Sequence, residues 1–282
     1  MLENGIIHFY ITLEIEMMIS VCMTTHNGEK YLKEQVDSIL VQLNEGDELI
    51  VSDDGSLDGT LEILESYKDA RIRILHHKKK TTQIYNFCYT THNFENALRN
   101  AKGDIIFLAD QDDVWLDGKV KKMVDKLQKC AIVLSDCSFV DTNLVILTSS
   151  KIQFEKVKIG AFRNLYKNGY LGSSIAFHRY ILDSALPFPK NVPHDLWIGL
   201  VGGHIGRFDI LPVVTMLYRR HDANVSSTNN NLLKKQTNNG TAIKLNKNTN
   251  SFGYRIKYRS IIVGNFILFI IKNFLHKNTL NK

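Results

Sequence analysis

The 282-residue chain is 44% hydrophobic, 10% aromatic and 23% charged. That is the balance of a globular protein with a sizeable core, and it excludes disorder, collagen and coiled coil. Thirty-five Lys and Arg against 29 Asp and Glu give a formal charge of +6, a value that invites a nucleic-acid partner. The distribution argues against one. All 29 acidic residues lie at or before Asp222 with 25 basic ones, a body of −4, whereas the last 60 residues carry ten basic residues and no acidic one.

Residues 1–17 read as an N-terminal extension. Their apolar run, 6–13, is flanked by Glu3, Glu14 and Glu16, and lacks the basic segment and small-residue cleavage site of a secretory leader. An apolar strand follows over 18–24, then the polar Thr25-His26-Asn27-Gly28 and a helix carrying Leu32, Val36, Ile39 and Leu40. Glu48–Ser52 is a second strand, ending in Asp53-Asp54-Gly55-Ser56, and a helix is expected over 58–68. Arg71–His76 is a third strand. A helix over 94–101 leads to the strand Asp104–Ala109, which ends in Asp110-Gln111-Asp112-Asp113. A helix over 117–129 precedes the strand Ala131–Ser135. Beyond 150 the alternation weakens: strands are expected at 173–179 and 212–218, with a short helix at 194–203. Four cysteines without paired spacing read as reduced, packed thiols of a cytoplasmic protein.

Strands alternating with helices predict an α/β fold with a mostly parallel sheet flanked by helices. In such sheets the ligand crevice lies outside the carboxyl ends of the strands. The polar clusters at 24–29, 53–56 and 110–113 therefore converge on one edge, where so many carboxylates would repel one another without a cation or a donor-rich ligand. Three carboxylates within Asp110–Asp113 suit a hard divalent ion shared with phosphate oxygens, although Asp residues also favour a helix N-terminus. Asp53-Asp54-Gly55-Ser56 is either a turn or a carboxylate that accepts the N3–H of a uracil or thymine ring. No glycine-rich dinucleotide or P-loop motif is present, which leaves a metal as the bridge to a diphosphate.

Five blocks occur in order: Val21–Leu32, Ser52–Ser56, Leu108–Trp115, His194-Asp195-Leu196-Trp197 and Tyr218-Arg219-Arg220-His221. Together they resemble glycosyltransferase family 2, the inverting GT-A sugar transferases, in its rhamnosyl- and galactosyl-transferase-like branch of bacterial polysaccharide synthesis. The resemblance implies an inverting transfer from a UDP- or dTDP-sugar to a hydroxyl of a lipid-linked saccharide, in O-antigen (lipopolysaccharide) or capsule synthesis. It implies a base and ribose pocket at Thr24, His26 and Glu29, with Asp53 on the pyrimidine, Asp54 among the nucleotide-sugar contacts and Asp110 near the ribose and donor sugar. Mg²⁺ or Mn²⁺ would sit on Asp112, with Asp113 and His221 beside it. Asp195 would be the general base and Arg219 a contact to the diphosphate. From the residues alone Asp195 could be a helix cap and His221 a surface histidine. A nucleotidyltransferase and a non-catalytic sugar-nucleotide-binding protein are the rival functions.

The resemblance covers about 18–226, the expected GT-A domain. An Asn/Lys-rich linker is expected over 227–252 and a basic amphipathic tail over 253–282. In the tail, Asn265, Lys272 and His276 share a narrow face among apolar residues, with Arg255, Lys257 and Arg259 upstream. This suits a helix lying on an anionic membrane or one docked on the body. The first reading places the protein peripherally on the cytoplasmic face of the cell membrane.

Overall fold

A computed structural model of the chain describes residues 17–78, 83, 85, 87–221 and 252–280. The expected extension apart from Met17, and the expected linker apart from Phe252, lie outside these residues.

Strands β1 (Ile19–Thr25), β2 (Glu48–Asp53), β3 (Ile72–His76) and β4 (Ile105–Asp110) form a parallel sheet in the order β3-β2-β1-β4. Helices α1 (Glu29–Leu40), α2 (Thr60–Ser66) and α3 (Phe87–Arg99) connect them. These strands are apolar on both sides because both faces are covered. Val21, Met23, Phe107 and Ala109 meet Leu32, Val36 and Ile39 of α1. Cys22, Ile106 and Leu108 meet Phe94, Ala97 and Leu98 of α3. The four cysteines are buried and unpaired.

The chain continues through β5 (Val114–Trp115), α4 (Lys119–Leu127), β6 (Ile132–Val140), β7 (Ile146–Thr148), α5 (Lys151–Glu155) and α6 (Ala161–Tyr166). Next come β8 (Ile175–His178), α7 (Arg179–Ala185), α8 (His194–Ile205), β9 (Phe208–Arg219) and α9 (Phe252–Leu280). The sheet extends as β4-β8-β6-β9-β5 with β7 on β6. Strand β8 runs antiparallel to both β4 and β6, β9 parallel to β6, and β5 antiparallel to β9. The parallel expectation thus holds through four strands and gives way to mixed pairing. The cause is that β8 is entered from a 3-10 turn, Gly172–Ser174, rather than by a helical crossover.

Two elements are longer than their apolar pattern. Helix α3 starts at Phe87, turning Cys88 and Thr91 inward ahead of Phe94. Strand β6 continues through Ser135, Asp136 and Ser138, all buried. Their polar atoms are satisfied internally: Ser135 Oγ lies 2.7 Å from Thr215 Oγ1, and Asp136 accepts from the Ser150 hydroxyl and the Cys137 and Ile152 amides. Polar residues with partners can be core, so hydropathy stopped short of the strand's end.

Helix α9 docks by one arc and is open along another. Ile262 and Phe266 are buried in the core cluster that contains Trp197, and Phe269 packs edge-on against Trp197 and His204. Val263, Ile267, Leu268, Ile271, Phe274 and Leu275 are exposed, and at about 100° per residue they cover an adjoining arc of about 140°. Lys257–His276 is also twenty residues long and apolar enough to cross a bilayer by length and composition.

At the far edge of the sheet Glu48 gathers three strands. Its carboxylate accepts from Ser20 Oγ (2.6 Å), the Lys102 amide (2.7 Å) and Arg73 Nη1 (2.8 Å). Burial pushes its pKa up, and these bonds outweigh burial and hold it below the ordinary value. Replacing Glu48 by Ala orphans the donors and is expected to cost about 2 kcal/mol in urea denaturation. A depressed folded pKa contributes stability above the unfolded value that is lost as pH falls. The parent should therefore lose this increment on acidification below about 4.5, the ordinary value, and Glu48→Ala should show a correspondingly shallower acid limb.

Candidate active site

The carboxyl ends of β2, β1 and β4 lie side by side, with Thr25 in register with Asp53 and Thr24 with Asp110. The loops after β1 and β2 are laced together where α1 and α2 begin. The Ser56 hydroxyl accepts from the Asn27 amide, Thr60 Oγ1 from the Gly28 amide and Asp58 from the Glu29 amide. In return Asn27 Oδ1 accepts from the Leu57 amide and Glu29 Oε2 from the Gly59 amide. Each loop supplies the caps of the other's helix, satisfying backbone donors that neither helix caps by itself. Glu29, expected in the ribose pocket, is a member of this lacing.

Thr24 is buried at the strand end and His26 is exposed beside it. Gln111, the spacer inside the acidic block, brackets His26. Its Oε1 accepts from the His26 amide at 2.8 Å and its Nε2 donates to the His26 carbonyl at 3.1 Å. A Cβ on Gly28 would stand 2.3 Å from Gln111 Oε1, so glycine at 28 is what lets this bracket form.

Asp53 is buried and its acceptor capacity is filled. Oδ1 takes the Gly55 and Ser56 amides at 3.0 and 2.8 Å, and Oδ2 takes the Thr25 and Ser56 hydroxyls. Four donors occupy a carboxylate's four lone-pair directions. The expected role of Asp53 toward a pyrimidine therefore gives way to a structural one, the turn after β2. Asp54 stands next to it with Oδ1 2.8 Å from His77 Nδ1. No local pattern marks this pair, since His77 sits in the basic run His76–Lys80, which reads as a solvated loop.

The block Asp110–Asp113 does not cap a helix: β5 intervenes and α4 starts at Lys119 behind Gly118. Asp110 is half-buried at the strand end. Asp112 meets His221, Oδ2 to Nε2 at 2.7 Å, so His221 is no surface histidine. Asp113 is fully buried, with Oδ1 on the Arg219 amide at 3.2 Å and Oδ2 without a hydrogen-bond partner among the described residues. It lies beneath the surface that Asp112 and His221 share, so the expected metal-ligand role of Asp113 is not supported. Burial and then the charge of Asp112 push the pKa values of Asp110 and Asp113 up, and Ser173 draws both down. Lys119 is buried below them, its Nζ 2.8 Å from the Ser173 carbonyl, and burial pushes its pKa down to about 7. Helical spacing places Lys119 on a face with Met123 and Leu127, but Lys126 lies about 20° from it, so the pattern alone does not single Lys119 out.

Arg219, expected on the diphosphate, is buried and occupied by protein groups. Its guanidinium donates to the Asp112 and Thr142 carbonyls and to Glu34, and it stacks 4.4 Å from the centre of the Tyr31 ring. It pins β9 to the acidic loop.

Asp195 lies in the first turn of α8, where Pro193 holds the cap position, so Asp195 is no cap. Oδ1 accepts from the Leu196 amide at 2.6 Å and Oδ2 from Asn168 Nδ2 at 3.3 Å. Burial raises its pKa to about 6 against these hydrogen bonds. Its charge contributes to the raised pKa of Asp110, so the two carboxylates are within electrostatic reach of each other. Gly172 makes the close approach possible: a Cβ there would lie 3.0 Å from His194 Nε2 and 3.7 Å from Asp195 Cβ. His194 itself is buried against Phe94 (ring centres 4.2 Å apart), and burial pushes its pKa down to about 3, leaving it neutral.

The structure thus joins a strand-end crevice, an Asp–His pair at its floor and a carboxylate of raised pKa across from it. Residues 20–184 match the family described as Glycosyl transferase family 2. The chain belongs to that family and is a glycosyltransferase of GT-A fold, which sets the nucleotidyltransferase and non-catalytic readings aside. It is similar to Escherichia coli WfgD, a UDP-Glc:alpha-D-GlcNAc-diphosphoundecaprenol beta-1,3-glucosyltransferase, at 24% identity over 78% of this chain and 84% of that one. It is also similar to the dTDP-rhamnosyl transferase RfbG of Shigella flexneri, at 26% identity over 73% of this chain and 74% of that one. The fold is shared with S. aureus TarS 1–349 in complex with UDP-GlcNAc, at TM-score 0.58 and 20% identity over 76% of this chain and 62% of that one. The mannosyltransferase PcManGT of Pyrobaculum calidifontis, in complex with GDP-Man and Mn²⁺, aligns at TM-score 0.52 and 18% identity over 73% of this chain and 58% of that one.

Asp53→Asn sets an NH₂ group against hydroxyl and amide donors. It is expected to lower the stability of the nucleotide-free protein by about 1–3 kcal/mol in urea denaturation. Unchanged stability would return Asp53 to a ligand-facing role.

Proposed function

We propose that the protein moves a sugar from a UDP- or dTDP-sugar, with inversion, to a hydroxyl of a lipid-linked saccharide in bacterial cell-surface polysaccharide synthesis. The observation that carries this reading is Asp195, half-buried in the first turn of α8, its carboxylate held by the Leu196 amide and Asn168 and its pKa raised by burial. The nucleotide lies along the ends of β1 and β2, with Thr24, the bracketed His26 and the Asp54–His77 pair around the base and ribose. Asp110 faces the donor sugar. The names of WfgD and RfbG support a diphosphate-linked lipid acceptor and a choice between UDP and dTDP donors.

A hydroxyl is a poor nucleophile, so Asp195 takes its proton as the new C–O bond forms. The attack comes from the sugar face opposite the diphosphate, and the bond to the leaving phosphate oxygen breaks in the same displacement. That is why the configuration inverts. Asp112 and His221 would hold a Mg²⁺ or Mn²⁺ ion by giving up their mutual hydrogen bond, 2.7 Å from Oδ2 to Nε2, to the metal. Among the described residues no third His, Cys, Asp or Glu completes a cluster, and Mg²⁺ usually takes one or two carboxylates and completes its shell with phosphate oxygens and water. Such an ion supplies charge neutralisation for the departing nucleoside diphosphate. Arg219 acts at one remove, holding the Asp112 backbone and bringing the strand end before His221 into place.

Helix α9 brings this site to its acceptor. One arc of it is docked on Trp197 and His204 through Phe266 and Phe269, which leaves lipid only the other side, so it lies in the interface of the membrane's cytoplasmic leaflet by its open apolar arc. Lys257 and Lys272 of α9 favour anionic lipid.

Asp195→Asn is expected to lower transfer at least 10²-fold while leaving UDP affinity unchanged in calorimetry; transfer at the parental rate refutes the assignment. Because the base works only when ionised, kcat/KM of the parent should rise with pH through about 6 and level off above it. Ile267→Glu with Ile271→Glu, both about half exposed, should change stability little and reduce sedimentation with anionic vesicles several-fold. Undiminished sedimentation would remove α9 as the anchor.

A further inference from the structure

A cavity of about 270 Å³ opens between α6, the start of α8 and the N-terminal part of α9, lined by Tyr166, Asn168, Leu196, Tyr258, Arg259 and Ile262 among others. Small-molecule pockets begin near 300 Å³, so it has room for about one sugar ring. Its inner wall is the candidate base's own support: Asn168 donates to Asp195 Oδ2, and Leu196 is the next residue in the chain. Its outer wall carries a cation. Arg259 lies flat on Tyr166, 4.3 Å from the ring centre, and Nη2 donates to the Tyr166 carbonyl at 3.0 Å. Among the described residues no carboxylate pairs with it, and Nε and Nη1 make no hydrogen bond. The sequence offers no local acid either, since none occurs after Asp222. A half-buried guanidinium with unused donors, held flat by an aromatic ring, suits the oxygens of a phosphate. From Arg259 the same helix runs directly into the exposed apolar arc that starts at Val263.

The cavity thus lies between Asn168, which holds the base, and Arg259, from which the helix leads into the apolar arc. We propose that this cavity is the acceptor subsite, taking the acceptor's sugar beside Asp195 while Arg259 holds the phosphate that links that sugar to its lipid. The proposal rests on the glycosyl-transfer reading above, and it assigns the acceptor's anionic linker to α9 rather than to the metal pair.

Binding tests it without turnover. Farnesyl diphosphate and the uncharged farnesol serve as probes by calorimetry, with UDP and Mn²⁺ saturating so that the donor site is filled. The parent should bind the diphosphate at least tenfold more tightly than farnesol. Arg259→Gln should abolish that difference while leaving farnesol affinity unchanged, and Arg259→Lys should keep part of it. Equal affinity of the parent for both probes, or an Arg259→Gln protein that still prefers the diphosphate, would overturn the proposal. So would a loss in Arg259→Gln of both probes together, which marks Arg259 as only a clamp between α6 and α9. Sedimentation with phosphatidylglycerol vesicles separates the source of the phosphate: it should be unchanged in Arg259→Gln, and an equal loss there would assign Arg259 to bulk headgroups instead. Asp195→Asn should bind farnesyl diphosphate as the parent does, so a failure of the transfer chemistry and a failure of this subsite give different results.

Discussion

The structure is organised around one electrostatic cost: four carboxylates, Asp110, Asp112, Asp113 and Asp195, share one partly desolvated crevice. Burial disfavours the charged forms of Asp110, Asp113 and Asp195, and the charge of Asp112 disfavours those of Asp110 and Asp113 further. The pKa values of Asp110, Asp113 and Asp195 are correspondingly raised. The surrounding structure offsets this in layers. Lys119 lies underneath, the Arg219 amide takes Asp113, His221 takes Asp112 and Asn168 takes Asp195. Lys119 is itself shifted toward neutrality by burial. The arrangement is thus poised for a cation and a diphosphate rather than neutralised in advance.

That poise needs rigid walls. The parallel strands β2, β1 and β4 fix the spacing of the crevice, and the reciprocal caps between the loops after β1 and β2 keep it from splaying. Charged groups have been separated by task. Asp53 and Glu29 are consumed in holding loops, and Arg219 in fastening β9 to the acidic loop. Asp54, Asp112, His221 and Asp195 remain at the crevice. On the opposite flank α9 divides its apolar surface between the core and an open face, which joins the site to a surface that lipid can occupy.

Much of this was legible in the residues. Periodicity found the four parallel strands, and the strand-end rule put Thr24, Asp53 and Asp110 on one edge. The acidic block and the His194–Trp197 block marked opposite walls of the crevice. What escaped were contacts between segments far apart in sequence. Gln111 looked like a spacer, His77 like loop and Asn168 like nothing in particular. Asp113 looked equal to Asp112 because adjacent residues in a chain carry no record of which one turns inward.

The sequence by itself determined the fold family, the edge where chemistry happens and the split between an acidic body and a basic tail, because hydrophobic period and residue type act locally. Tertiary packing alone ties Asp53 and Glu29 into loops, docks one arc of the tail while leaving another open, and places a cavity between Arg259 and Asn168, the partner of Asp195. Those outcomes depend on burial and on partners 30 to 190 residues away along the chain, on the order set by sheet pairing and helix docking. No local pattern encodes them.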